Sequence, residues 1–174
     1  MVRRPVKIAI EDISYCGGCD VAIVDVGEDL LKLLEIGDIQ LVYAPMLLSS
    51  RDYKDDVDIV LVIGAVRNEH DLERIKRARE KAKILVAFGS CACFGGLPSL
   101  ANMYDKADLL RNAYEKSPTI DKGGPPHPSK VPSLLNQVLP LSEYVNVDYY
   151  VPGCPPPPPI IKSVIANLLK RVGR

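Results

Sequence analysis

Five of the 174 residues are cysteines, and four of them stand in settings that suit metal or redox chemistry. Cys16 and Cys19 enclose a Gly-Gly pair in "SYCGGCD", Cys91 sits in "FGSCACFGG", and Cys154 sits in "VPGCPP". A CxxC pair can be a thiol–disulfide couple, half of a zinc site or half of an iron–sulfur site. The pair alone does not choose among them. The rest of the chain decides, by supplying further thiolates at the same place or by failing to.

The elements that carry these residues alternate between two periodicities. "VKIAIEDI" (6–13) is short, apolar and β-branched and reads as a strand ending just before the CxxC pair. From about Asp20, "DVAIVDVGEDLLKLLEI" places Val21, Val24, Leu31 and Leu34 near one helical stripe. "IQLVYAPM" (39–46) is a second strand, and "VDIVLVIGAV" (57–66) is the near-continuous apolar run of a strand covered on both faces. "EHDLERIKRAREKA" (69–82) is a charged amphipathic helix, "KILVAFG" (83–89) a buried strand, and "VNVDYYVPGC" (145–154) begins as a strand. "PIIKSVIANLLKRVG" (159–173) closes the chain as a helix, with Pro159 suited to its first turn. Between these, short helices are expected near 106–115 and 131–138, with a proline-rich loop separating them. Alternating strands and helices predict a single α/β domain over residues 1–174. Its form is a flavodoxin-like open parallel sheet with helices on both faces and right-handed crossovers.

This topology gives the cysteines a common address. Cys16 and Cys19 follow the first strand, Cys91 follows the 83–89 strand, and Cys154 follows the 145–154 strand. In open α/β sheets the carboxyl ends of parallel strands share one edge, where ligands bind. Four thiolates there fit a 4Fe–4S cluster or a structural zinc ion. Structural zinc sites usually draw their ligands in two close pairs, whereas this chain offers one pair and two singletons, which favours iron–sulfur. Glycines flank each cysteine and let backbone N–H groups approach sulfur. Pro155 lacks an N–H and stiffens the chain after Cys154. Cys93 lies two residues past Cys91, so on extended backbone its side chain faces the other way. A buried free thiol is the simpler reading of Cys93. Replacement of Cys91 as ligand, or a redox role, is the alternative.

Composition narrows the classes further. Lys plus Arg and Asp plus Glu are both 22, so the formal net charge is zero and nothing draws the whole chain to nucleic acid or anionic lipid. No apolar run approaches the ~20 residues of a membrane span. The opening "MVRRPVKIAIEDI" is interrupted by Glu11 and Asp12 and does not read as a signal peptide. A cytoplasmic protein with thiols kept reduced is the expectation.

The three cysteine motifs, with their surroundings "CGGCD" (16–20), "GSCACFGGLPSLAN" (89–102) and "VDYYVPGCPPPP" (147–158), occur in an order that resembles the small subunit of nickel–iron hydrogenases. The likeness runs over nearly the whole chain. It is greatest to the cytoplasmic, archaeal-type branch, the methyl-viologen-reducing and deazaflavin-reducing hydrogenases. The 20-kDa subunit of respiratory complex I is a more distant likeness. The resemblance implies one 4Fe–4S cluster held by Cys16, Cys19, Cys91 and Cys154, with Cys91 rather than Cys93 at the family's ligand position. It implies a large partner subunit carrying a nickel–iron centre, and a further iron–sulfur or flavin subunit that takes the electrons. This chain would relay electrons without cleaving dihydrogen, and no catalytic residue is expected on it. Many relatives continue into a ferredoxin-like segment with more clusters. Here no cysteine follows Cys154, so one cluster and no such segment are expected. The complex I relative has two adjacent cysteines in its first motif, so CxxC argues for the hydrogenase side.

Alternatives stand beside this reading. One is a complex I-like or membrane-hydrogenase-like module passing electrons to a quinone or other acceptor. Another is a zinc-stabilised scaffold, and a third a thiol–disulfide enzyme using Cys16 and Cys19. Asp20, Glu11 and Asp12 could bear on cluster potential or proton exit. For Asp20 the simpler reading is a helix N-terminal acid favoured by the dipole. His127, in the proline-rich loop, reads as a surface residue or a subunit contact, and His70 as solvated. Tyr149 and Tyr150 read as core and edge packing, and the proline run after Cys154 as a rigid wall over the cluster.

Overall fold

The computed structural model describes residues 4–53, 55–120, 124 and 130–172. Five strands form one parallel sheet: β1 (Val6–Asp12), β2 (Ile39–Tyr43), β3 (Val57–Ile63), β5 (Ala82–Phe88) and β7 (Tyr149–Val151), in the order β2-β1-β3-β5-β7. Numbered within this sheet alone, that is 2-1-3-4-5, the flavodoxin-like doubly wound order, whose direction of travel reverses beside β1. A separate two-stranded antiparallel ribbon joins β4 (Val66–Asn68) to β6 (Leu134–Leu139).

Each face of the sheet buries its own core. On one face Ile8, Ile10, Ile59, Leu61, Ile63, Val86 and Phe88 pack with α1 (Gly18–Val24) and α6 (Pro158–Arg171), through Ala22, Ile23, Ile161, Ile165 and Leu168. On the other, Ala9, Val60, Val62, Leu85 and Ala87 meet α3 (Glu69–Lys81) and α4 (Gly89–Phe94), through Ile75, Ala78 and Ala92. Every residue of β3 is buried, as its unbroken apolar run requires. Asn68 caps α3 by accepting from the Asp71 backbone N–H at 2.9 Å.

Three expectations are corrected. The helix expected from Asp20 onward is two helices, α1 and α2 (Glu28–Glu35), divided at residues 25–27 beside the poor helix former Gly27. Val21, Val24 and Leu31 of the expected stripe are exposed, while Ile23, Leu30, Leu33 and Leu34 pack on the core, so the buried stripe runs along a different side of the segment from the one expected. The helix expected near 131–138 is β6. Pro132 and Pro140 bracket this stretch, and pairing to β4 outweighs helical propensity. Asn102 fixes the ribbon by accepting from Val138 N–H at 2.8 Å and donating to Val138 C=O at 2.9 Å. The expected 57–66 strand is divided between β3 and β4, because residues 64 and 65 leave the sheet where Ala65 bridges to Ser14. A 3-10 helix (Leu97–Met103) follows α4, and α5 (Lys106–Tyr114) forms where expected. His127 lies outside the described residues.

Candidate metal centre at the carboxyl edge of the sheet

The chain leaves β1 over the top of β3, where Ile13 N–H donates to Ile63 C=O at 2.9 Å and Ala65 N–H donates to Ser14 C=O at 2.9 Å. These bonds hold the loop at the reversal point of the sheet and present Cys16. Gly17 caps α1, which places Cys19 in its first turn. Cys91 lies in α4, directly after β5, and Cys154 follows β7. The Ser90 N–H donates to Gly153 C=O at 2.7 Å and ties the last two loops together. Cys16, Cys19, Cys91 and Cys154 thereby line one small cavity, with Tyr15, Ser90 and Pro155 completing the wall. Cys19 and Cys91 are buried, and Cys16 and Cys154 are exposed at the mouth. All five cysteines are free thiols.

Two glycines make this possible by close approach. A Cβ on Gly89, which sits at φ +83°, would lie 2.5 Å from the Cys19 Sγ. A Cβ on Gly96 would lie 2.8 Å from the Cys91 Sγ. Any side chain at either position would drive a sulfur from its place. The thiols also sense one another. Burial, then the nearby charges of Cys91, Cys16, Asp20 and Cys154, pushes the Cys19 thiol up to about 12. Burial raises Cys91 as well; the Leu97 backbone N–H opposes the rise, and Cys16 and Cys154 add to it. Burial thus disfavours the thiolate forms of Cys19 and Cys91, and bound iron or zinc would supply the positive charge that favours them. Among the described residues no group of three or more His, Cys, Asp or Glu is placed to hold a single metal ion. Four thiols on a small cavity with glycines packed against two of the sulfurs are a donor set of the kind that holds iron–sulfur clusters or zinc.

Cys93 stands apart. It does face away from Cys91, though on a helix rather than on extended backbone. Two residues along a helix turn the side chain about 200°. Its Sγ–H donates to Ala87 C=O at 3.4 Å among the core residues behind the sheet.

Three buried acids lie at the end of β1 and in the first turn of α1. Glu11 accepts from Arg74 Nε at 2.6 Å on the α3 face. Asp20 accepts from the Tyr15 hydroxyl. Asp12 lies beside Tyr15, yet neither of its carboxylate oxygens has a partner among the described residues. Burial, then the Asp20 charge, holds the Asp12 carboxyl up at about 7, against the pull of Arg74 and Tyr15. Tyr15 and Ser90 are the wall residues that sequence reasoning did not single out. Their adjacency to Cys16 and Cys91 was the available sign.

Among the described residues no helix is long and apolar enough to cross a membrane. His70 is exposed. Tyr149 packs against the core with the Arg171 guanidinium 5.0 Å from its ring centre, while Tyr150 is exposed.

The family described as NADH ubiquinone oxidoreductase, 20 Kd subunit, matches residues 16–168. A subunit of the F420-non-reducing hydrogenase vhu of Methanocaldococcus jannaschii is 38% identical over 169 residues, covering 97% of this chain and 58% of that protein. The delta subunit of the NAD-reducing hydrogenase HoxS of Cupriavidus necator is 35% identical, covering 96% of this chain and 81% of that protein. One polypeptide in the crystal structure of an NAD+-reducing [NiFe]-hydrogenase in the H2-reduced state superposes with a TM-score of 0.90 at 34% identity, covering 97% of this chain and 93% of that one. The chain spans little more than half the length of the F420-non-reducing relatives. The chain belongs to the family of the 20-kDa subunit of NADH ubiquinone oxidoreductase, and its relatives there include hydrogenase subunits.

Proposed function

We propose that this chain is the electron-transfer small subunit of a nickel–iron hydrogenase, with Cys16, Cys19, Cys91 and Cys154 as ligands of one 4Fe–4S cluster. The observation that carries the reading is that loops after three strands bring these four thiols to one glycine-lined cavity. The cluster would supply one-electron storage at a potential tuned by its surroundings. The chain's own part is to hold and screen it. Gly89 and Gly96 leave room for sulfur, the Leu97 N–H lies toward the Cys91 sulfur, and Pro155 walls the cavity. The exposed Cys16 and Cys154 put the mouth of the site at the surface, where electrons can cross to a partner.

The partners on this reading are a large subunit with a nickel–iron centre that splits or forms dihydrogen, and a further iron–sulfur or flavin subunit. The complex is cytoplasmic, with no membrane insertion by this chain and no nucleic acid partner. A complex I-like module is the second reading, favoured by the family match over residues 16–168. A zinc-stapled scaffold fits less well, because structural zinc sites usually draw their ligands in two close pairs and this chain offers one pair and two singletons.

The test is anaerobic purification with co-purifying subunits, followed by iron, sulfide, zinc and nickel analysis and electron paramagnetic resonance of the dithionite-reduced sample. About four irons and four sulfides on this chain, with nickel in a larger partner, are expected. Iron without nickel anywhere moves the reading to the complex I-like module. One zinc and no iron overturns the relay.

A further inference from the structure

Asp71, in the first turn of α3, is 5% exposed, and one of its carboxylate oxygens joins the loop after β1 to the junction of β4 and α3. That Oδ2 accepts from the Ser14 hydroxyl at 2.8 Å, from the Arg67 backbone N–H at 3.0 Å and from the Asn68 side-chain amide at 3.1 Å. The last two donors belong to β4 and fix the carboxylate on the ribbon, from which it reaches to Ser14. Ser14 stands two residues before Cys16 and next to Tyr15, both of which line the cysteine cavity. Its backbone pairs with Ala65, the Ser14 N–H donating to Ala65 C=O at 3.3 Å and the Ala65 N–H donating to Ser14 C=O at 2.9 Å. Ala65 in turn packs with Cys91, Val138 and Ala101 in a small cluster of its own. The segment that carries Cys16 and the helix that carries Cys91 thus lean on the same support, the link from β3 to β4 and the ribbon. The Ser14–Asp71 bond is the side-chain contact that fastens the first of them to it.

We infer that Asp71 is a positioning residue for the centre: acting through Ser14, it holds the loop so that the Cys16 sulfur keeps its place relative to Cys91 in the cavity. This rests on the proposed cluster. Cys16 is exposed at the mouth, and between β1 and α1 its loop has only the Ser14–Ala65 bridge as regular backbone pairing. A bond to a buried carboxylate is stronger than one between neutral groups, and it breaks when the loop lifts away. It is therefore a barrier that local opening at Cys16 must overcome. Ser14 is two peptide units from Cys16, so a shift of its side chain displaces one of the four thiols and alters the surroundings that tune a cluster. Asp71 acts through Ser14 and is not itself a ligand.

The experiment uses the protein purified anaerobically with its co-purifying subunits. Two signals are read in the parent, Ser14→Ala, Ser14→Thr, Asp71→Asn and the Ser14→Ala/Asp71→Asn double variant. One is the rate at which iron passes to the chelator bathophenanthroline, and the other is the set of g values of the dithionite-reduced paramagnetic signal. Ser14→Ala should release iron about tenfold faster, the worth of a hydrogen bond to a charged group, and should shift the g values. Ser14→Thr keeps the hydroxyl and should restore both. The double variant should release iron more slowly than the product of the two single effects predicts, because both substitutions act on one bond. Gly37→Ala, a strained glycine with open space around it, serves as the control for general destabilisation and should keep both parent signals. Parent-like release and g values in Ser14→Ala, effects that multiply in the double variant, or the same changes in Gly37→Ala would overturn the inference and leave the relay intact. Absence of iron from the parent overturns both. If Ser14→Ala does not fold, Asp71→Asn, which leaves an acceptor for the Arg67 and Asn68 donors, is decisive by the same two signals: faster release with shifted g values supports the inference, and parent values overturn it.

Discussion

Asp58 and Asp12 are buried aspartates on adjacent strands of the same sheet, at opposite ends. At the amino edge, Asp58 is 2% exposed and fully bonded. It accepts from Arg4 through two 2.8 Å bonds, from Lys83 Nζ at 2.8 Å and from the Lys7 backbone N–H at 3.0 Å. Those donors, Arg4 first, hold its carboxyl well below the usual carboxylate range. At the carboxyl edge, Asp12 has neither a geometric hydrogen-bond partner nor a counter-charge in contact among the described residues, and its carboxyl is raised to about 7. At one edge the buried carboxylate is answered by cations and a backbone N–H. The other gathers four thiols, a positive-φ glycine against sulfur and an unanswered acid. A sheet this well packed can carry such a site because its stability is secured elsewhere.

The contrast yields predictions of decreasing size. Gly89→Ala should cost roughly 3 kcal/mol from backbone strain and the displaced Cys19 sulfur, read as a lower urea midpoint and lost iron. Gly37→Ala, also at positive φ but with open space around it, should lose stability while keeping iron. Asp12→Asn should stabilise the protein at pH 8 by on the order of 2 kcal/mol after allowance for solvent screening. The sign follows from linkage: the folded state holds its Asp12 proton up to about 7. The unfolded chain releases that proton near pH 4, so stability falls as pH rises between the two values and Asn removes that loss. Stability curves at pH 4 and pH 8 should coincide at the first and separate at the second. Asp58→Asn should do the reverse. It should destabilise by about 2 kcal/mol at pH 7, with the difference shrinking as pH falls below the unfolded carboxylate value. The exposed Arg4 and Lys83 can return to water, which keeps this cost below that of stranding a buried charge. Smallest of all, Cys93→Ala should cost about 1 kcal/mol of core packing and leave iron content unchanged.

Much of this is legible in residues with strong local patterns. The unbroken run of β3, the amphipathic α3 and the placement of three cysteine motifs after strands point to the sheet and its carboxyl edge. The opposed directions of Cys93 and Cys91 also follow from their spacing, although a helical rather than extended backbone produces them. What is not legible depends on distant partners. The β6 strand exists because β4 and Asn102 bond to it, and nothing within 131–138 announces either. The stripe that packs on the core, Ile23, Leu30, Leu33 and Leu34, is offset from the expected one, because apolar residues lie on more than one side of this segment and periodicity alone does not choose among them. The local pattern marks Asp12 only as an acid near the motif. Its lack of a partner emerges once Tyr15 is seen to donate to Asp20 and Arg74 to Glu11.

The central claim is that four specific thiols, and not the fifth, hold the centre. The direct measurement is iron and sulfide content of anaerobically purified parent protein and the five single Cys→Ser variants. About four irons are expected in the parent and in Cys93→Ser, with iron largely lost in Cys16→Ser, Cys19→Ser, Cys91→Ser and Cys154→Ser. Full iron in any of those four, or its loss in a folded Cys93→Ser, would contradict the assignment.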